Sequence, residues 1–314
     1  MSQVLSTRTR AQIAALAAVI LVTGFSITGA SAQSVFARRE QVIYEGNPLD
    51  PKVMWLGSWG SGWCEESTLN AYIGNRSLKI TPRDLYTGGR IDFVTPLDMT
   101  PAFKAPDIYF QLVTQFWGAQ TGADALSAAL GTPGSTDIYG GTYTPGKQVR
   151  KMRIVFFFED GAAVECQSDV SSYRIGEDGW LAMSFPMAVL KGKTDLPQYK
   201  VKRLVITGDG TEPFHIGEIR TMRDSTLITA DAGGEQEVSK NYSIAFQGSA
   251  QAGASAVKYS WDFDNSNGIQ EEAVGDLVYH RFTKAGNYVA TLTVSDVFGL
   301  KKPGVAAINV KVNE

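Results

Sequence analysis

An all-β chain of two sandwiches in series is what this 314-residue sequence predicts. Three observations predict it. Short apolar-alternating runs recur through the chain, Gly, Pro and Asp punctuate them, and no segment beyond residue 32 carries a long 3.6-residue apolar period. Gly is abundant (32 residues) while charged residues make up only 19%, a balance that suits turn-rich β structure better than exposed helices with charged faces.

The first segment is not part of either sandwich. Arg8 and Arg10 precede an uncharged apolar stretch, Ile13 to Phe25, and Ala30-Ser31-Ala32 then places small residues where a signal peptidase reads. A signal peptide over 1–32 and an N-terminal extension over 33–43 are expected. An uncleaved anchor is the alternative, but Gly24, Ser26, Thr28 and Gly29 dilute the apolar run. Removing Arg8 and Arg10 moves the formal charge from -3 to -5. The expected location is therefore exported: secreted, periplasmic or at the cell surface, with no membrane span after signal cleavage. No Lys/Arg run exceeds a pair, as at Arg38-Arg39 and Lys301-Lys302, so nucleic acid is not an expected partner.

A first domain is expected over 44–222. Ile108, Phe110, Leu112, Thr114 and Phe116 share one face of a strand, with Gln111 and Gln115 on the other. Val149 to Phe158 reads as a central strand buried on both sides, turning at Glu159-Asp160-Gly161 into Ala162 to Gln167. Trp180 to Phe185, Val201 to Thr207 and Phe214 to Met222 complete the series. Residues 118–146 interrupt it with a Gly/Ala/Thr/Pro-rich loop, in which Thr121 to Leu130 suits a short helix. A linker at 223–231 leads to a second domain at 232–314. Its strand-like runs are Tyr242 to Phe246, Val257 to Phe263, Leu277 to Phe282, Tyr288 to Val294 and Ala306 to Val312, enough for one immunoglobulin-like sandwich.

The second domain resembles a polycystic kidney disease (PKD) domain. The residues that carry the resemblance are Phe246-Gln247-Gly248-Ser249-Ala250, Tyr259-Ser260-Trp261-Asp262-Phe263-Asp264, Tyr279-His280-Arg281-Phe282 and the run from Ala285 to Asp296. Trp261 is expected in the core with Tyr259 and Phe263 on its face, and Tyr288 is expected to bury its ring while its hydroxyl finds a backbone partner. The resemblance implies a spacer or interaction module of an exported protein. One stretch departs from the family: Asp264-Asn265-Ser266-Asn267-Gly268 replaces its short Gly-Asp-Gly turn. Asp262, Asp264 and Asn267 offer oxygens to Ca²⁺, but the spacing misses the EF-hand pattern, and a solvated Asx-rich turn is the plainer reading.

The first domain resembles the jelly-roll domains of the galactose-binding-like superfamily, which includes carbohydrate-binding modules. Asn75 to Ile80 with Gly88 to Phe93, Trp180 to Pro186, and Lys202 to Gly210 followed by Pro213 to Ile219 carry this likeness. It implies a structural Ca²⁺ between the first loop and the last strand, held by Glu218 with Glu45 or Asp50. An ordinary salt bridge or solvated acid is the alternative for each.

Candidate ligand-binding residues cluster in WLGSWGSGW, which holds Trp55, Trp59 and Trp63. Flat aromatic rings stack on the apolar faces of sugar rings, while core filling is the competing use. Trp117, Tyr139 and Tyr143 at the long loop are open to the same two readings, and Arg90 and Asp92 can hydrogen-bond sugar hydroxyls. Cys64 and Cys166 are the only cysteines, and an oxidising compartment allows them one disulfide; two buried thiols are the alternative.

No enzymatic role is expected. Glu65-Glu66 and Glu159-Asp160 are acids without a supporting motif, and His215 and His280 have no nucleophile signature near them. Two readings remain: a carbohydrate-binding protein that presents aromatics to a polysaccharide or glycan, or a structural or adhesive envelope protein acting on other envelope proteins.

Overall fold

The computed structural model describes residues 37–116, 146–176, 178–191 and 195–314. The expected signal peptide, Trp117, Tyr139, Tyr143 and the expected helix at 121–130 lie outside them.

The first sandwich is built from two antiparallel sheets. One has the order β3 (Trp63–Ser67), β4 (Ser77–Thr81), β11 (Phe214–Asp224), β6 (Ile108–Phe116) and β9 (Leu181–Pro186), and β1 (Ala37–Tyr44) also pairs with β11. The other runs β2 (Met54–Trp59), β5 (Gly88–Asp98), β10 (Lys200–Gly208), β7 (Lys151–Phe158) and β8 (Ala163–Asp169). Consecutive strands alternate between the sheets except at the β3–β4 and β7–β8 hairpins, the winding of a jelly roll.

Side-chain alternation explains why the sheets face each other. On β6, Ile108, Phe110, Leu112 and Phe116 enter the core as expected, while Gln111 turns away. Phe110 meets Phe156 of the opposite sheet edge-on, with ring centroids 4.9 Å apart. Phe103, on the short helix Thr100–Lys104, stacks on Tyr199 at 4.4 Å and closes one end. β7 lies between β10 and β8, and its outward Val155 is buried while Phe157 is half-buried.

Two boundaries differ from expectation. Residues 37–43, read as an extension, belong to β1, where Arg38, Arg39 and Glu40 make ion pairs. The linker read at 223–231 shrinks to 225–228, because β11 runs to Asp224 and β12 (Thr229–Asp231) already pairs with β15 (Ser249–Gln251).

The second sandwich has a five-stranded sheet in the order β13 (Gln236–Ser239), β20 (Gly304–Asn313), β19 (Gly286–Asp296), β16 (Val257–Asp262) and β17 (Ala273–Val274). A β14 (Ser243–Gln247)–β18 (Leu277–Arg281) ribbon adds to it. Trp261 is fully buried, and its indole N–H donates to Gly275 O at 3.0 Å. The Phe263 ring stacks on His280 at 4.0 Å, which gives that histidine a packing role. Tyr288 is half-buried, and its hydroxyl donates to Lys284 O at 3.0 Å.

Phe36–Glu314 form one compact unit, and the joint between the sandwiches is specific. Asp224, the last residue of β11, receives Lys301 Nζ at 2.8 Å and Ala254 N at 2.6 Å, both from the second sandwich. Lys301 also sits 5.5 Å from the centroid of buried Tyr109, and Phe298 packs on the first core.

Candidate functional site

The outer face of the β2-β5-β10-β7-β8 sheet gathers four of the ligand-binding candidates, Trp55, Trp59, Arg90 and Asp92. Met54 and Leu56 pack inward, so Trp55, Gly57 and Trp59 project outward. Strand register then sets three rows across the sheet. Trp55, Asp92, Arg203 and Phe157 form the first; Gly57, Arg90, Val205, Val155 and Glu165 the second; Trp59, Gly88, Thr207, Arg153 and Gln167 the third. Opposed residues in such rows lie about 5 Å apart and interact directly.

Aromatic rings and guanidinium groups alternate over this face. The Arg90 guanidinium carbon lies 5.3 Å from the Trp55 ring centroid, that of Arg203 lies 5.8 Å from Trp59, and that of Arg153 lies 5.1 Å from Tyr86. Trp59 also meets Phe157 at 5.3 Å, so its indole crosses from the third row toward the first. Beneath this layer Val155 and Val205 are only 4% and 0% exposed despite their outward positions. Trp55 remains 45% exposed.

Asp92 ties the guanidinium groups together. Its carboxylate lies 3.0 Å from Arg90 Nε and 2.6 Å from Arg203 Nε. Gly57 makes this possible: a Cβ there would lie 2.6 Å from Arg90 Nε. The expectation that Asp92 itself bonds sugar hydroxyls is corrected, since the carboxylate is nearly buried and engaged by two arginines. Arg153 pairs with Glu165, and three arginines against two carboxylates leave the face with a net charge of +1.

Trp63 does not join this site. Gly60 and Gly62 carry the chain over to the other sheet, where Trp63 is 55% exposed and its indole N–H donates to Glu65 at 3.3 Å. Trp117 and Tyr143 lie outside the described residues.

The other candidates fall into structural roles. Cys64 and Cys166 remain thiols, and the disulfide reading is corrected. β3 lies beside β2 at one edge of the sandwich and β8 beside β9 at the other, so the cysteines occupy opposite edges. A disulfide needs Cα atoms within about 7 Å. Glu218 is fully buried, with Arg39 Nη1 at 3.3 Å and Arg220 Nη1 at 2.5 Å from its carboxylate. Glu45 accepts from Asn47 Nδ2 at 3.4 Å, and Asp50 accepts from Lys52 N at 2.9 Å in a local turn. Among the described residues no group of three or more His, Cys, Asp or Glu is arranged to hold a metal. In the second sandwich Asp262 accepts from Asp264 N at 2.9 Å and Asp264 from Ser266 N at 3.2 Å, which is the Asx-turn arrangement.

One pair was not anticipated. Ser77 Oγ lies 2.9 Å from His215 Nδ1, across the β4–β11 ladder. Ser77 Oγ also lies 3.0 Å from Leu69 O, so its hydroxyl has both the carbonyl and the imidazole within hydrogen-bond reach. Both residues are buried. Burial pushes the His215 pKa down to about 4.

A family profile described as PKD domain matches residues 229–312. Two solved structures are similar to parts of the chain. The solution structure of the PKD domain from KIAA 1837 protein shares 29% identity over 29% of this chain and 89% of its own, with a TM-score of 0.23. The crystal structure of the extracellular domain of the one-component system BT4673 from B. thetaiotaomicron shares 10% identity over 57% of this chain and 30% of its own, with a TM-score of 0.20. No curated protein matches the chain. Among the described residues no helix is long and apolar enough to cross a membrane.

Proposed function

We propose that this chain, whose residues 229–312 are a PKD domain, is an exported, non-catalytic protein that binds a glycan on the outer face of its first sandwich. The PKD domain then serves as spacer or docking module. The observation that carries this reading is the exposed Trp55 beside the partly exposed Trp59 on a single sheet face, each with a guanidinium over its ring. Aromatic rings fixed in this way offer apolar platforms to sugar rings, and the surrounding N–H groups meet hydroxyls. Such binding needs no redox or organic cofactor.

A glycan panel read with the purified chain tests the proposal. Saturable binding is expected, lost in Trp55→Ala and Trp59→Ala variants that remain folded. It should persist in Trp63→Ala, whose ring is on the other sheet. A validated panel without any binding removes the reading.

A structural or adhesive role in the envelope is the second reading. Val274, Leu277, Tyr279 and Tyr242 are exposed on the second sandwich, and exposed apolar groups of this kind suit contacts with other proteins. Assembly or partner capture, in place of glycan binding, supports it.

A further inference from the structure

We infer that the Trp55–Trp59 face selects anionic polysaccharides bearing ring carboxylates, with Arg90 and Arg203 as the carboxylate-reading groups and Asp92 as their positioning residue. The inference rests on the glycan reading above and specifies its ligand class.

The geometry of the two guanidinium groups carries it. Arg203 Nε donates to Asp92 Oδ1 at 2.6 Å, and Arg90 Nε lies 3.0 Å from Asp92 Oδ2 as an ion pair. Among the described residues the Nη groups of the two forks make no hydrogen bond, which leaves them to meet a ligand. Their side chains are 28% and 29% exposed, enough to be reached and too little to swing freely. A planar fork presenting two parallel N–H groups matches a carboxylate in bidentate fashion, which an ammonium does not. Each fork also lies beside an indole ring, Arg90 over Trp55 and Arg203 over Trp59. A sugar ring stacked on either indole places its substituents next to a guanidinium. Asp92 shares its single charge between two arginines, so the cluster keeps one uncompensated positive charge in a chain whose formal charge is -3. A neutral glycan has no use for that charge, whereas a polymer of uronic acids supplies one carboxylate per sugar.

The test compares polygalacturonate, alginate and hyaluronan with their methyl-esterified forms, in which the backbone is kept and the charge removed, alongside neutral xylan and galactan. The full chain is expected to bind at least one acid polymer about tenfold or more tightly than its ester, with affinity falling as salt rises. Arg90→Lys and Arg203→Lys keep the charge but lose the fork, so the preference for acid over ester should fall to about twofold to threefold. Asp92→Asn, which retains a hydrogen-bond acceptor, should preserve part of the preference that Asp92→Ala abolishes. Equal binding of acid and ester forms, or binding of neutral polymers alone with dependence on Trp55, overturns the carboxylate inference and leaves the glycan reading standing. Binding of no polymer in either set removes both.

Discussion

Lys301 Nζ lies 2.8 Å from Asp224 Oδ2, and this ion pair joins the last strand of the first sandwich to a loop of the second. The Asp224 side chain is wholly inaccessible and also accepts from Ala254 N and Thr226 N. Removing the ammonium strands a buried charge, which typically costs about 3–5 kcal/mol. Lys301→Met is expected to lower the unfolding free energy by that order, with the two sandwiches unfolding in separate steps. A single unchanged transition counts against the joint.

The same carboxylate sets a pH limit. Desolvation raises the Asp224 pKa, but the Lys301, Thr226 and Ala254 donors together outweigh it and hold the pKa below the ordinary value. With the folded pKa below the unfolded one, the stabilisation is complete above about pH 4 and is lost as pH falls through the folded value. Domain separation should therefore begin only in acid below about pH 4, and Asp224→Asn should remove that dependence.

His215 acts over a different window. Burial lowers its pKa to about 4, so below about 6.5 the unfolded chain takes up a proton that the folded chain refuses. Stability contributed by the neutral ring is full above about pH 6.5 and declines as pH falls toward 4. Chemical denaturation from pH 7.5 to 4.5 should show this loss in the parent chain, with a flatter profile in His215→Gln. Identical profiles would place the ring in water.

How much of this was legible depended on how each strand is buried. β6 and the aromatic-rich β7 could be read because one face of each enters the core. β1 (ARREQVIY) could not, because most of its residues sit at a sheet edge in ion pairs and ladder bonds instead of packing inward. β15 and β17 span only three and two residues, too few for any period to register. In WLGSWGSGW the even spacing of the tryptophans suggests a common site, and for Trp55 and Trp59 it is one. The positive-φ turn at Gly60 then sends Trp63 to the opposite sheet, a crossing that side-chain spacing does not encode. Arg203 was not singled out, although it completes the Asp92 pair, because its partner is 111 residues away in sequence. The pairing of His215 with Ser77 escaped notice for the same reason, the two lying 138 residues apart.

The cysteines should behave as buried thiols. Burial pushes the Cys64 pKa up to about 12, leaving little thiolate at neutral pH. Alkylation of the native chain is expected to be slow and to become complete only on unfolding, and a reductant should leave the melting temperature unchanged. A drop of several degrees on reduction would require a disulfide between them.

Gly57→Ala separates the shape of the candidate site from the stability of the sheet that carries it. The added Cβ would fall 2.6 Å from Arg90 Nε and 3.3 Å from Arg90 Cγ, so the arginine must leave its place over Trp55 and beside Asp92. What moves is a flexible, partly exposed side chain at the surface, and the Cβ is an ordinary addition to a strand. The stability change is therefore expected within about 1 kcal/mol. Ligand affinity should fall by about tenfold or more, because the disturbed group is one of the two forks beside the indoles. Parallel measurement of the denaturation midpoint and of binding to the preferred polymer distinguishes the cases. Loss of binding at constant stability places the ligand on this face, and unchanged binding places it elsewhere.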